Sequence, residues 1–134
     1  GLVDVPREDV ATDAKLEGGE PLPVLVYSHG NLGVGLVGFS YGERFASHGW
    51  LVVAMDHVGN TILDRSAPYA VDLLVRPQDV SAVLDWLEAP PAPFTGHVSD
   101  HILAMGHSFG AYFVLSVAGA RRDVPADVAA CDRA

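Results

Sequence analysis

The sequence predicts an α/β fold with a mostly parallel sheet and helices on both faces. Three apolar runs of strand length, Val24–Val26, Leu51–Met55 and Ile102–Met105, recur along the chain with helical patterns after each. The runs are apolar throughout rather than alternating, and the first two read as strands buried on both faces. Strand, helix repeated three times is the pattern of right-handed crossovers feeding a parallel sheet. The 134 residues show no internal repeat and no dividing linker, so residues 1–134 are expected to form a single domain.

The first strand runs through "PLPVLVYSHG" and stops at His29 and Gly30. A glycine-rich loop "NLGVGLVG" follows. The next segment, "FSYGERFASHG", carries Phe39 and Phe45 on a helix that Gly49 would close in a left-handed cap. "LVVAMD" is the second strand, and "HVGNTILDRSAP" is a polar loop ended by Pro68. Pro77 suits the first turn of a helix, with Asp79 near the positive end of its dipole. Val80, Val83, Leu84 and Leu87 then repeat with helical spacing. Three prolines in "APPAPFTGHVSD" break that helix, "HILAMG" is the third strand, and "AYFVLSVAGA" is an uncharged helix.

Hydrophobic residues make up 49% of the chain and charged ones 19%, enough to form a core. Acids outnumber bases 17 to 8, and the bases are scattered, which argues against a nucleic-acid partner. No apolar run approaches the ~18 residues that span a bilayer. The opening "GLVDVPREDV" lacks the pattern of a signal peptide, and the compartment stays open. Cys131 is the single cysteine, which excludes an internal disulfide and a multi-cysteine metal site.

The pentapeptide G-x-S-x-G occurs twice, as "GFSYG" and "GHSFG". A nucleophile elbow needs a strand running in, a strained turn, and a helix running out, with glycines where a side chain would collide with strand or helix. "GFSYG" follows a loop, so Ser40 reads as a loop or first-turn residue. "GHSFG" joins "HILAM" to "AYFVLSVAGA", so Ser108 reads as a nucleophile whose hydroxyl faces a helix N-terminus.

"VLVYSHGNLG", "FASHGWLVVAMDHVGNT", "RPQDVSAVLDWL" and "MGHSFGAY", in that order, resemble the α/β-hydrolase superfamily. The likeness is to the branch of dienelactone-hydrolase-like proteins, platelet-activating-factor acetylhydrolases and cutinases. It implies a serine hydrolase of carboxylic esters working through an acyl-enzyme on Ser108, with no cofactor. It also implies an oxyanion hole made by the backbone N–H groups of Asn31 and Phe109. Dienelactone hydrolases carry a cysteine where this chain has Ser108, which favours serine esterase chemistry.

Other motifs compete. "GVGLVG" is a literal dinucleotide fingerprint at Gly33, Gly35 and Gly38, with Asp56 about 20 residues on. Four residues, His29 to Leu32, separate it from the strand and would hold a pyrophosphate away from the helix. His29 reads as a loop-ordering side chain, and His107 and His57 as residues lining the pocket. His97 and His101 have i, i+4 spacing but straddle a loop–strand boundary with no intervening glutamate, so no metal is expected. Asp56–Thr61 leaves the carboxyl end of a strand and reads either as pocket lining or as a turn made by Asn60 and Thr61. Asp79, Asp85 and Glu88 read as the solvated face of their helix.

A serine nucleophile needs a histidine base and an orienting carboxylate, which in this superfamily follow the serine in the chain. All six histidines precede Ser108, and the residues after it hold Asp123, Asp127 and Asp132 but no histidine. The acid and base are therefore expected outside this segment, and the fold as given is expected to be incomplete. An apolar sheet edge would then be left open for association. Two alternatives stand beside this: His57 as an unorthodox base, and a catalytically silent binding module that keeps the elbow as a relic.

Overall fold

The computed structural model describes residues 10, 11, 13–16, 19–121, 123, 125, 126 and 129. Cys131, Asp127, Asp132 and residues 1–9 lie outside them. The elements are β1 (Leu22–Ser28), a 3-10 turn (Gly35–Gly38), α1 (Phe39–Ala46), β2 (Leu51–Met55), α2 (Tyr69–Glu88), β3 (Val98–Gly106) and α3 (Phe109–Val117). The three strands form one parallel sheet in the order β2-β1-β3, which puts β1 in the middle.

Central placement explains the apolar run in β1. Val24, Leu25, Val26 and Tyr27 are all buried. Side chains alternate across a strand, so Val24 and Val26 share one face. There they pack with Met55 and with Val80 and Leu87 of α2, and Val117 of α3 packs against the same cluster. Each such side chain contributes about 1.5–3 kcal/mol on burial. On the other face the Tyr27 ring lies 6.4 Å from that of Tyr41 in α1. Helices thus cover both faces, as the sequence predicts.

Gly49, at φ +79, ends α1 in the expected left-handed conformation. Its N–H donates to the Ala46 carbonyl, the Trp50 N–H donates to the Phe45 carbonyl, and the Trp50 ring stands edge-on to Phe45. Those two bonds satisfy carbonyls that the helix end would otherwise leave bare, and the apolar contact accompanies them.

One expectation is corrected. α2 does not begin at Pro77; it begins directly after Pro68 and carries Pro77 in its interior. The early half was silent to apolar periodicity because its inward face is polar: Asp72 and Arg76 are buried there. Pro68, extended at ψ 142, accepts the Val71 and Asp72 N–H groups and starts the helix.

Candidate active site

The carboxyl ends of the three strands bring together the elbow, the loop after β1 and the loop after β2. β3 enters the elbow and α3 leaves it, with Ser108 between them at φ +52 and ψ −118. A non-glycine residue at positive φ is strained and persists only where its surroundings fix it. The flanking glycines do so. A Cβ on Gly106 would sit 2.3 Å from the Gly110 backbone, and one on Gly110 would sit 2.1 Å from the Ser28 carbonyl oxygen. The His107 N–H also donates to that Ser28 carbonyl (3.1 Å), tying the elbow to β1. Ser108 and His107 are exposed.

The loop after β1 comes close to the serine: a Cβ on Gly30 would lie 3.5 Å from the Ser108 Cβ and 3.0 Å from His107 Nδ1. The Gly33 N–H donates to the Gly30 carbonyl (3.1 Å), closing a turn with Asn31 and Leu32 at its centre and Leu32 at φ +54. That left-handed conformation costs a leucine about 1–2 kcal/mol. The Leu32 N–H donates to Asn60 Oδ1 (2.8 Å), and Asn60 Nδ2 donates to Asn31 Oδ1 (2.9 Å). Phe109 follows Ser108 as the first residue of α3, and Asn31 follows Gly30 in the loop that approaches the serine.

His29 is buried and orders the loop from within. Its Nδ1–H donates to the Gly30 carbonyl (2.7 Å), and its Nε2 accepts the His57 N–H (3.2 Å), which fixes the neutral tautomer. Burial lowers its pKa, and the charge of Arg76 adds to that. Arg76, fully buried, donates to the His29 carbonyl and lies over the rings of Phe109 (5.2 Å) and Phe113 (4.9 Å). Desolvation brings its pKa down to about 10, so it keeps its charge at neutral pH.

His57 is not on a pocket wall. It is fully buried, with its Nε2 2.8 Å from Ser28 Oγ and its Nδ1 2.8 Å from Asp79 Oδ2. Burial, and after it the charge of Arg76, pushes its pKa down to about 3. The imidazole is therefore neutral, donating from Nδ1 to Asp79 and accepting the Ser28 hydroxyl proton at Nε2. Asp79, expected on a solvated face, is instead partly buried, and burial raises its pKa against the opposing charge of Arg76. Serine, histidine and aspartate thus stand in nucleophile, base and acid order inside the protein. Ser28 has no exposed surface, so no substrate reaches its hydroxyl.

Sequence reasoning missed this chain because Ser28 and Asp79 lie in different elements and carry no motif. One signal was present: a serine at the end of a fully apolar strand needs a buried partner.

The glycine fingerprint is used for packing. A Cβ on Gly38 would meet the Tyr27 ring at 2.4 Å, and one on Gly35 would meet the Ala54 carbonyl oxygen at 2.9 Å. Asp56, the residue that would hold a ribose in a dinucleotide site, accepts the Gly35 N–H (2.6 Å). Of the two readings of Asp56–Thr61, the turn is present at Thr61, whose Oγ1 accepts the Asp64 N–H (2.8 Å). The His101 ring lies against Trp50, 5.6 Å between centroids. Among the described residues no three His, Cys, Asp or Glu side chains are grouped to hold a metal ion. Among them, too, no helix is long and apolar enough to cross a membrane. Two surface depressions, one lined by Arg44, Phe45, His48 and Trp50 and one by Leu87, Glu88 and Val98–Asp100 with Ile102, open at the amino ends of β2 and β3. That is the opposite end of the sheet from Ser108.

Residues 2–81 match the family described as platelet-activating factor acetylhydrolase, isoform II. The chain belongs to that family. The match takes in β1, the Asn31 loop, α1, β2, His57 and Asp79, and stops short of the elbow. It makes the chain a member of a hydrolase family of lipase/esterase type with an α/β fold. No curated protein and no solved structure matches the chain.

Proposed function

We propose that the chain bears the nucleophile of a serine hydrolase acting on carboxylic esters through an acyl-enzyme on Ser108. The observation that carries the reading is the strained backbone of Ser108, held between β3 and α3 by two glycines that admit no side chain. In the proposed mechanism Ser108 Oγ gives its proton to the general base and attacks the ester carbonyl while the N–H groups of Asn31 and Phe109 receive the developing oxyanion. Collapse breaks the ester C–O bond, the alcohol leaves with that proton, and water hydrolyses the acyl-enzyme. Among the described residues no histidine bonds the Ser108 hydroxyl, and His57, its nearest rival as base, is engaged by Ser28. The general base and its acid are accordingly assigned to residues outside this segment. The family's name describes an acetyl-ester hydrolase, which supports an ester as substrate class.

Ester turnover by the full-length gene product tests the reading. A chromogenic acetyl ester should give a burst of acylation followed by slower turnover, and Ser108→Ala should remove both. Turnover that survives Ser108→Ala would sink it; absence of any turnover or acylation would favour a binding module on the same fold. A rise in melting temperature with NAD or NADP would instead favour the dinucleotide reading.

The reading extends to the sheet edge. Among the described residues β3 pairs only with β1, and its Ile102 and Leu103 are 38% and 42% exposed. Such an edge invites pairing by another strand. Association of the 134-residue chain in sizing chromatography, reduced by Leu103→Lys, is expected; a monomer unaffected by the change would count against it.

A further inference from the structure

The Asn31–Leu32 turn has little to hold it from its own sequence. It contains a leucine in the left-handed region and an exposed asparagine, and its internal hydrogen bond is the one from Gly33 to Gly30. What fixes it comes from 28 and 29 residues further along the chain. Asn60 is 2% exposed, and every group on its amide is occupied. Oδ1 accepts the Leu32 N–H, while Nδ2 donates both to Asn31 Oδ1 and to Asp72 Oδ2 on α2. The partners settle which end of the amide is which, since a backbone N–H only donates and a carboxylate only accepts. The Asn60 N–H donates to the His57 carbonyl, so its own backbone is anchored as well.

We propose that Asn60 is a positioning residue of the oxyanion hole: from the loop after β2 it holds the Asn31–Leu32 turn and so directs the Asn31 N–H toward the carbonyl attacked by Ser108. The inference rests on the ester-hydrolase reading of Ser108 and Asn31 and adds to it a residue that touches no reacting atom. A donor aimed at the position of the oxyanion helps only while its direction is fixed, because the free energy comes from dipoles that need no reorientation during reaction. Asn60 supplies that fixity by holding both the N–H of the Asn31–Leu32 peptide and the Asn31 side chain. α2 supplies the rigid end through Asp72.

The test uses the full-length gene product and three variants. Asn60→Asp keeps an acceptor for the Leu32 N–H but sets a carboxylate against Asn31 Oδ1 and Asp72, losing both donated bonds. It should lower kcat for an acetyl ester by about 10–100-fold and leave KM within about twofold, the mark of an interaction realised in the transition state. Asn31→Ala cuts the same link from its exposed side, keeps the N–H, and should lower kcat several-fold. Asp64→Ala removes the acceptor of the Gly59 N–H (3.0 Å) in the same loop without touching residues 29–32, and should lower the melting temperature while leaving kcat unchanged.

Folded Asn60→Asp with wild-type kcat would overturn the proposal, as would a fall in kcat matched by Asp64→Ala, which would reduce Asn60 to a general loop support. Should Asn60→Asp fail to fold, Asn31→Ala decides, and an unchanged kcat there overturns the proposal. Failure of the underlying reading looks different: the wild-type protein would then form no acyl-enzyme on Ser108.

Discussion

Two serines sit at the carboxyl ends of neighbouring strands and differ in what surrounds them. Ser28 has a histidine and an aspartate in hydrogen-bonded order and no exposed surface. Ser108 has exposure, a strained backbone and a helix N-terminus, and no histidine bonded to it among the described residues. A list of partners would choose Ser28; the proposal for Ser108 rests on access and backbone geometry. A Ser–His–Asp arrangement is therefore no signature of catalysis by itself, since the same hydrogen bonds satisfy a buried polar chain. The two serines are also joined, because the Ser28 carbonyl accepts the His107 N–H beside Ser108.

The largest expected effect lies where the two regions touch. Gly110→Ala puts a methyl group 2.1 Å from the Ser28 carbonyl oxygen, and should cost ~3 kcal/mol or more with loss of Ser108 acylation. Urea unfolding and mass spectrometry of the acylated protein would measure both, and a near-neutral result would mean that the elbow is not packed on β1.

Ser28→Ala separates the two roles. It leaves His57 Nε2 buried without its donor, so stability should fall by about 1–3 kcal/mol while Ser108 still acylates. Loss of acylation in a variant that remains folded would move the chemistry toward Ser28.

Acid sharpens the same contrast. Unfolded, His57 takes up a proton near its ordinary 6.5; folded, it holds off until about 3. Between those values the unfolded state binds the extra proton, so stability falls as pH falls, by up to about 1.4 kcal/mol per pH unit from this group. His29, shifted the same way, adds to the slope, whereas Asp79, raised by burial, opposes it above its ordinary 3.8. Arg76, Asp72 and Asp56 also bear on His57 and are present in both arms of the comparison. His57→Gln should flatten the dependence in urea titrations across this window; a slope equal to wild type would show that His57 is not the group responsible.

The smallest effect belongs to the false elbow. Gly42 of "GFSYG" lies within α1, where a Cβ would meet only Val52 Cγ1 at 3.7 Å. Gly42→Ala should therefore raise stability by about 0.5–1 kcal/mol. Destabilisation there would give the first pentapeptide a steric role like that of the second.

Legibility followed the apolar pattern. Val24–Val26 and the Val80–Leu87 repeat were readable because burial on both faces, or on one helical stripe, writes itself in hydrophobic residues. The elbow was readable because its glycines answer a steric need within five residues. The first half of α2 was not, since Asp72 and Arg76 face inward and break the pattern that announces a helix. Asp79 looked like a dipole partner because nothing in sequence marks a carboxylate as paired with an imidazole 22 residues away. Asn60 was half legible: its turn was expected, its grip on Asn31 and Leu32 was not, because long-range side-chain bonds leave no local trace.

The most direct test of the central claim is where a fluorophosphonate attaches to the full-length gene product, read by intact mass and peptide mapping with Ser108→Ala and Ser28→Ala as controls. The account predicts one adduct, on Ser108, absent in Ser108→Ala and retained in Ser28→Ala. An adduct on Ser28, or none on the wild-type protein, would contradict it.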